Sequence, residues 1–187
     1  SVRNSITAVI DQNPEIQFGM TVFPSKSGFF AGCTVGTDSP HVPIQEDAGG
    51  PIDDWFEDNN PAGATPLKSA MEWMSENVTQ VWGSELEAAY LVLLSDGEDK
   101  CTCSQYDDDP YERAECVADK LEGITQDLTA QGVGTFVIGY AYSGPDIELD
   151  VIAENGGTEI TEWIEAGSEA TLTAAFGQVI DDVKWCL

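Results

Sequence analysis

An unbroken apolar run at residues 90–94 is the feature that most limits what this chain of 187 residues can fold into. A strand that is apolar at every position is buried on both faces, as in a parallel sheet that helices cover on both sides. Ser95, Asp96 and Gly97 follow directly and end the run in a turn. In open α/β sheets, ligands bind just beyond the carboxyl ends of strands. Asp96 is therefore the first candidate for a functional residue.

Helical and strand patterns alternate along the rest of the chain. This alternation predicts a Rossmann-like, doubly wound α/β fold, with a mostly parallel sheet and helices on both faces. We find no internal repeat or linker, so residues 1–187 are predicted to form a single domain. Strands are predicted at residues 16–23, 90–94, 135–140 and 158–160, and helices at 2–10, 52–56, 67–81, 110–128, 147–152 and 169–183.

Three polar residues precede these helices at positions typical of N-caps. Thr65 stands before Pro66, a residue favoured in the first turn of a helix. Asp109 likewise stands before Pro110, with Glu112 three positions after Asp109 as in a capping box. Ser168 precedes the last helix. Capping alone would explain Thr65, just as ending a strand would explain Asp96.

The charge of the chain excludes some partners. It has 7 Lys and Arg residues against 34 Asp and Glu residues, a formal net charge of -27. Nucleic acid and anionic membrane surfaces are therefore not expected as partners, because binding phosphate requires a basic surface. We also expect no direct membrane insertion, because no apolar stretch is long enough to span a bilayer.

The cysteines indicate an oxidising compartment. Five are present, at positions 33, 101, 103, 116 and 186, and three of them are clustered. Such clustering favours disulfides over zinc, since the gap between Cys101 and Cys103 is shorter than zinc sites use and His41 is the sole histidine. We therefore expect an extracellular or cell-envelope location. The odd count leaves one thiol free or paired outside this chain.

Two polar loops give the chain a family resemblance. The sequences Gly63-Ala64-Thr65-Pro66 and Ser95-Asp96-Gly97 resemble the second and third segments of the metal-ion-dependent adhesion site (MIDAS) of von Willebrand factor A (vWA) domains. The residues before the second loop and the segments 18–24, 132–139 and 153–157 extend the resemblance over about 140 residues. The cysteines after the Asp-Gly turn are most similar to secreted or envelope-associated bacterial vWA proteins.

The resemblance implies a binding function. In vWA domains such loops hold one Mg²⁺, or Ca²⁺ or Mn²⁺, so Thr65 and Asp96 are the expected metal ligands. The ion keeps a coordination position open for an acidic side chain of a protein partner. The chain is thus expected to be a cation-dependent protein-binding or adhesion module. Glu98 and Asp99 are expected to be solvated, and Asp107 and Asp108 to be solvated as well.

The sequence departs from the family pattern at its start. It contains no Asp-x-Ser-x-Ser segment, and no strand precedes the first helix. In vWA domains that strand lies in the middle of the sheet, and its loss would leave two rows of backbone groups unpaired. We therefore expect the domain to be incomplete at its amino end, with the strand supplied by residues upstream of Ser1 or by another chain.

Alternatives remain for the function and for the disulfides. A structural or assembly domain of a cell envelope or surface filament, without a functional metal site, is the second candidate. An enzyme is not expected, because no Gly-x-Ser-x-Gly turn or Gly-x-Gly-x-x-Gly motif occurs. For the disulfides, we expect Cys101 or Cys103 to pair with Cys116. Cys33 and Cys186 are expected to pair with each other or with residues outside this chain.

Overall fold

Helices and strands alternate along the chain in the order that the sequence predicts. The computed structural model describes residues 1–24, 32, 33, 35, 39–59, 63–84 and 88–186. Most of the predicted loop between residues 25 and 40 therefore lies outside the described residues. The elements are α1 (Val2–Asp11), β1 (Phe18–Met20), β2 (Val42–Gln45), α2 (Gly49–Asp58), α3 (Leu67–Glu76), α4 (Val78–Trp82), β3 (Ala89–Gly97), α5 (Pro110–Ala130), β4 (Val133–Ser143), α6 (Ile147–Asn155), β5 (Ile164–Ala166) and α7 (Glu169–Cys186).

A parallel sheet with the order β3-β4-β5 forms the centre of the fold. The β3–β4 ladder runs from the pair Ala89 and Val133 to the pair Gly97 and Ser143, with an irregularity between Ser95 and Gly97. β5 pairs in parallel with the other edge of β4. Helices cover both faces of this sheet, so the prediction of a Rossmann-like, doubly wound fold is confirmed.

The side chains of the sheet alternate between two apolar cores. Leu93 and Val137 pack on one face, against the helices α3, α5 and α6. Phe136 and Ile138 pack on the opposite face, against α7. β4 is thus buried on both faces, whereas in the apolar run at residues 90–94 only Leu93 is buried and the other residues are half-buried.

Local hydrogen bonds change two of the predicted elements. The predicted helix at residues 67–81 is divided at Asn77, whose Nδ2 donates to the carbonyl oxygen of Trp73 at 2.8 Å. Residues 158–160 are not a strand, and Thr158 Oγ1 instead donates to the carbonyl oxygen of Ile160 at 3.0 Å within a turn. The edge strand of this sheet is β5, a few residues later.

Two of the predicted N-caps are present. Asp109 Oδ1 accepts hydrogen bonds from the backbone N–H groups of Tyr111 at 3.0 Å and Glu112 at 3.2 Å. Ser168 Oγ accepts from the N–H of Thr171 at 3.2 Å. Both helices therefore begin where the sequence places them.

A large cavity separates the parallel sheet from the remaining two strands. β1 pairs only with β2, in an antiparallel sheet of their own. Residues 15–24, on the side of β1, and residues 88–96, on the side of β3, face the same cavity of about 950 Å³. Within the described residues, no ladder joins β1 to β3.

The cavity is partly open to solvent, and its lining is more apolar than polar. Covering such an apolar surface is favourable, because it removes apolar area from water.

Two disulfides connect the segment after β3 to other parts of the chain. Cys103 pairs with Cys116 on α5, which confirms the expectation for Cys116. Cys101 pairs with Cys33, so the expected pairing of Cys33 with Cys186 or with absent residues is wrong. The Cα atoms of Cys33 and Cys101 lie 5.1 Å apart, within the usual range for a bridge. Two disulfides are typical of an oxidising, extracellular environment.

Removal of the Cys103–Cys116 disulfide is expected to lower the free energy of unfolding by about 3 kcal/mol. The bond closes a short loop, with a sequence separation of 13. Closing a loop of that size reduces the conformational entropy of the unfolded chain, which stabilises the folded state by about this amount. Urea denaturation of the Cys103→Ala/Cys116→Ala variant, followed by tryptophan fluorescence, measures the loss. Peptide mapping of the unreduced parent protein is the control, and a Cys101–Cys116 peptide there would contradict the connectivity.

Most basic residues are engaged in ion pairs. Five of the seven have an acidic partner among the described residues. The pairs are Arg3 with Asp53 and Glu57, Lys68 with Glu72, Lys100 with Glu98, Arg113 with Glu98 and Asp107, and Lys184 with Glu15. None of the helices in the described ranges is long and apolar enough to cross a membrane.

Candidate functional site

The carboxyl ends of the parallel strands form one rim of the sheet, and the candidate site lies there. Asp96 is the next-to-last residue of β3, and its side chain is exposed. Its carboxylate forms no hydrogen bond or ion pair with other residues that the structure describes. Ser95 is buried, and its hydroxyl donates to the carbonyl oxygen of Gly97 at 2.9 Å, which makes Ser95 a turn residue.

The structure brings Thr65 to the same rim. A Cβ atom placed on Gly97 would lie 3.7 Å from Oγ1 of Thr65. Thr65 and Asp96 also both line the cavity between β1 and β3. The structure therefore places the Thr65 hydroxyl beside Gly97, the residue that follows Asp96.

Thr65 does not cap α3, contrary to the sequence-based expectation. The helix begins at Leu67, Pro66 takes the cap position, and no side chain at that position bonds to the helix. The N–H of Lys68 instead donates to Oδ2 of Asp99 at 2.7 Å. Since Asp99 supplies the capping oxygen from another loop, the hydroxyl of Thr65 is left available.

Asp99 is the centre of the loop that follows β3. Its side chain is fully buried, and Oδ1 accepts from the N–H groups of Cys101 at 2.7 Å and Thr102 at 2.9 Å. Together with the bond from Lys68, these contacts fix the loop of Thr65 to the loop of Asp96. The expectation that Asp99 is solvated is therefore wrong.

Glu98 is also buried, where the sequence predicts a solvated side chain. Only 8% of it is exposed, and its Oε1 lies 3.0 Å from Nη2 of Arg113, a buried residue of α5. Arg113 also contacts Asp107 at 3.3 Å. The positive charge of the Arg113 guanidinium offsets much of the desolvation free energy that burying the Glu98 carboxylate costs. This ion pair ties the loop after β3 to α5.

A third buried carboxylate, Glu148 on α6, completes the support of the site. Its Oε2 accepts from the N–H of Asp99 at 2.8 Å, whereas Oε1 has no partner among the described residues. The pKa of Glu148 is raised to about 8, chiefly by burial. The negative charges of Asp99 and Glu98 contribute to this rise, and the hydrogen bond from the Asp99 N–H opposes it. Glu148 is therefore protonated over much of the neutral range.

Of the three buried carboxylates, only Glu148 could be predicted from the sequence. Glu148 precedes Ile152 by four positions and therefore lies on the buried stripe of α6, with Leu149 and Ala153 beside it. A carboxylate on such a stripe requires a partner. Asp99 carried no comparable signal, because an acidic residue after an Asp-Gly turn is most often solvated.

The donor atoms at the rim fit a hard divalent cation in part. The Thr65 hydroxyl and the Asp96 carboxylate are the oxygen ligands that Mg²⁺ and Ca²⁺ prefer, and both lack a partner within the described ranges. Two protein oxygens are fewer than the six or more that these ions require. No group of three or more His, Cys, Asp or Glu residues suited to a metal occurs among the residues described.

Comparisons with known proteins agree with this architecture. The sequence matches no protein-family model and no curated protein. Similar solved structures include proximal thread matrix protein 1 (PTMP1) from the mussel byssus, with a TM-score of 0.64 and 17% identity over 96% of this chain. They also include the conserved hypothetical protein BatB from Bacteroides thetaiotaomicron, with a TM-score of 0.59 and 13% identity over 97% of this chain. The match spans 40% of the mussel chain and 86% of BatB. This chain therefore has a vWA-like form of the doubly wound α/β fold.

Proposed function

We propose that this chain is a protein-binding module whose binding depends on a divalent cation at the carboxyl rim of the sheet. Thr65 and Asp96 are the proposed ligands from this chain. The observation that carries the proposal is the proximity of the Thr65 hydroxyl to Gly97. It brings to one rim two oxygen ligands from distant parts of the sequence that have no partner among the described residues. Mg²⁺ is the proposed ion, with Ca²⁺ or Mn²⁺ as substitutes.

The chemistry of Thr65 and Asp96 suits a cation that keeps one coordination position open for a ligand from a partner. Thr65 contributes a neutral oxygen and Asp96 a single negative charge, so the bound ion retains most of its positive charge. An ion in this state attracts a further carboxylate. We propose that the partner is a protein that offers an Asp or Glu side chain.

The buried carboxylates behind the rim, Glu98, Asp99 and Glu148, support this role. A site that recognises a partner through one ion requires ligands held within a fraction of an ångström. Asp99 bonds to the first turn of α3 and to its own loop, and the Cys103–Cys116 disulfide holds that loop to α5. The loops of Thr65 and Asp96 are thus fixed relative to each other without any contribution from an ion.

A second function has its own support. A non-enzymatic structural or assembly domain without a functional metal site agrees with the small number of donors at the rim among described residues. The mussel protein of similar fold is a matrix protein of the byssus, as its name states. Both candidate functions are non-catalytic, and both fit an extracellular or cell-envelope protein.

Titration calorimetry with Mg²⁺, Mn²⁺ and Ca²⁺ tests the proposed site. We expect Asp96→Ala to weaken cation binding at the rim at least tenfold, because it removes the only charged ligand that this chain is proposed to supply. Thr65→Val is expected to weaken binding less, since it removes a neutral oxygen and keeps the shape of the side chain.

A matched charge control is essential in a protein with a net charge of -27. Asp119 is exposed on α5, so Asp119→Ala makes the same charge change away from the rim loops. At 0.15 M salt, where diffuse attraction is screened beyond about 8 Å, this variant is expected to bind cations as the parent does. Equal losses in Asp96→Ala and Asp119→Ala would favour the structural candidate.

A further inference from the structure

His41, the sole histidine of the chain, extends the pairing of β1 with β2 by one side-chain hydrogen bond. The last backbone pair of the two strands is Met20 with Val42. One residue before Val42, Nδ1 of His41 accepts a hydrogen bond from the N–H of Val22 at 3.1 Å. The imidazole thus takes the place that a backbone carbonyl would have in a longer ladder. It holds the segment after β1 against the start of β2.

A neighbouring aromatic side chain supports the ring of His41. The ring centroid lies 5.1 Å from that of Trp55 on α2, and the two ring planes are at 69° to each other. Such edge-to-face packing is a favourable arrangement of aromatic rings. The imidazole is therefore held by Trp55 and by the N–H of Val22 together.

Protonation of the imidazole removes the acceptor of this hydrogen bond. In the neutral ring, Nδ1 accepts from Val22 only when the ring proton is on Nε2. In the imidazolium, both nitrogens carry a proton, so Nδ1 becomes a donor that faces the N–H of Val22. Two donors cannot bond to each other, and either the ring or the segment of Val22 then has to move.

The surroundings of His41 favour the neutral ring. Burial lowers the pKa of His41 below its ordinary value of 6.5, and no charged side chain adds to this shift. The segments 21–24 and 39–44 contain no other ionisable side chain, and neither does α4, which packs against β2. The acidic residues of α2 are Asp53, Asp54, Glu57 and Asp58, of which Asp53 and Glu57 pair with Arg3.

The sign of the pH dependence follows from this lowered pKa. Between pH 6.5 and the lower pKa of the folded protein, the unfolded chain binds a proton at His41 and the folded chain does not. The stability that the neutral ring contributes is therefore fully present above pH 6.5, and it is lost as the pH falls through the folded-state pKa.

We propose that His41 is an acid-sensitive latch, closed while the neutral imidazole accepts from the N–H of Val22 and open once the imidazole is protonated. Opening releases residues 22–24 from the start of β2. These residues line the cavity between β1 and β3, as Thr65 and Asp96 do, so acid changes the wall of that cavity. The latch requires no cation and goes beyond the proposed function.

Hydrogen exchange of the Val22 amide tests the latch in the 187-residue protein. The readout is the protection factor, the ratio of the intrinsic exchange rate to the measured rate at the same pH. The pH dependence of the exchange chemistry itself therefore cancels. We expect the protection of Val22 to fall at least tenfold between pH 7.5 and pH 4.5. All samples contain EDTA, so the result is independent of metal binding at Thr65 and Asp96.

Two substitutions of His41 provide matched controls. His41→Asn keeps an acceptor oxygen close to the position of Nδ1 and does not titrate, so we expect high protection of Val22 at both pH values. His41→Phe keeps an aromatic ring against Trp55 but has no acceptor, so we expect low protection at both. Residues 133–140 of β4 pair with neighbouring strands and report whether the fold is unchanged.

Three results would overturn the proposal. The first is an equal fall in protection in the parent protein and in His41→Asn, with β4 protected in both, because other groups would then cause the change. The second is constant protection of Val22 while the imidazole of the parent protein titrates. The third comes from ¹⁵N chemical shifts of His41 at pH 7.5, where we expect the ring proton on Nε2 and a proton on Nδ1 would contradict the hydrogen bond.

Discussion

Replacement of Asp99 by alanine is expected to lower the free energy of unfolding by at least about 3 kcal/mol. The side chain is fully buried and accepts from the N–H groups of Lys68, Cys101 and Thr102 and from the hydroxyl of Thr102. Alanine would leave these donors without an acceptor, and each unsatisfied buried donor costs about 1–3 kcal/mol. Urea denaturation at pH 7 measures the change.

Asp96 provides the matched control, three residues earlier in the same turn. Asp96→Ala removes the same carboxylate, but the side chain is exposed and has no partner among the described residues. Its effect on the free energy of unfolding is expected to stay within about 0.5 kcal/mol. The two variants thus separate the supporting carboxylate from the proposed ligand. Similar stability losses in both would show that Asp99 does not hold the loop.

The second large effect depends on pH and concerns Glu148. Its pKa is raised from an ordinary value of 4.5 to about 8. Between these two pH values, Glu148 is therefore protonated in the folded protein and ionised in the unfolded chain. The associated stability is fully present below pH 4.5, falls as the pH rises, and is lost above about pH 8. Glu148→Gln keeps an oxygen acceptor for the N–H of Asp99 and cannot ionise.

We therefore expect Glu148→Gln to leave the free energy of unfolding nearly unchanged at pH 4.5 and to raise it by a few kcal/mol at pH 9. Urea denaturation at pH 4.5, 6.5 and 9 measures the difference between the variant and the parent. Glu154→Gln, at an exposed position on the same helix, is the control for the loss of one negative charge. A difference that is the same at all three pH values would contradict the burial of an ionisable Glu148.

The fold could be predicted because its signals are local and periodic. The apolar run of β3, the proline at the start of α5 and the apolar stripes of the helices each identify an element without knowledge of its neighbours. The errors occur where a contact from elsewhere decides the structure. Thr65 has the sequence of a cap, yet the N–H of Lys68 donates to Asp99, which lies 31 residues after Lys68 in another loop.

The candidate site could be predicted only as far as the residues of its two short motifs. Thr65 and Asp96 belong to motifs that can be read in order along the chain, and the Thr65 hydroxyl lies beside Gly97, the residue after Asp96. Glu98, Asp99 and Glu148 were not identified, because burial of a carboxylate depends on partners from several elements. The pairing of Cys33 with Cys101 likewise depends on a contact across 68 positions, for which spacing gives no rule.

The ion pairs that engage five of the seven basic residues also determine how an acidic partner would approach. Because the protein has a net charge of -27 and those cations have acidic neighbours, a negatively charged partner is repelled during diffusion. Added salt shortens the range of this repulsion. The association rate constant should therefore rise with ionic strength, the reverse of the usual behaviour for oppositely charged pairs.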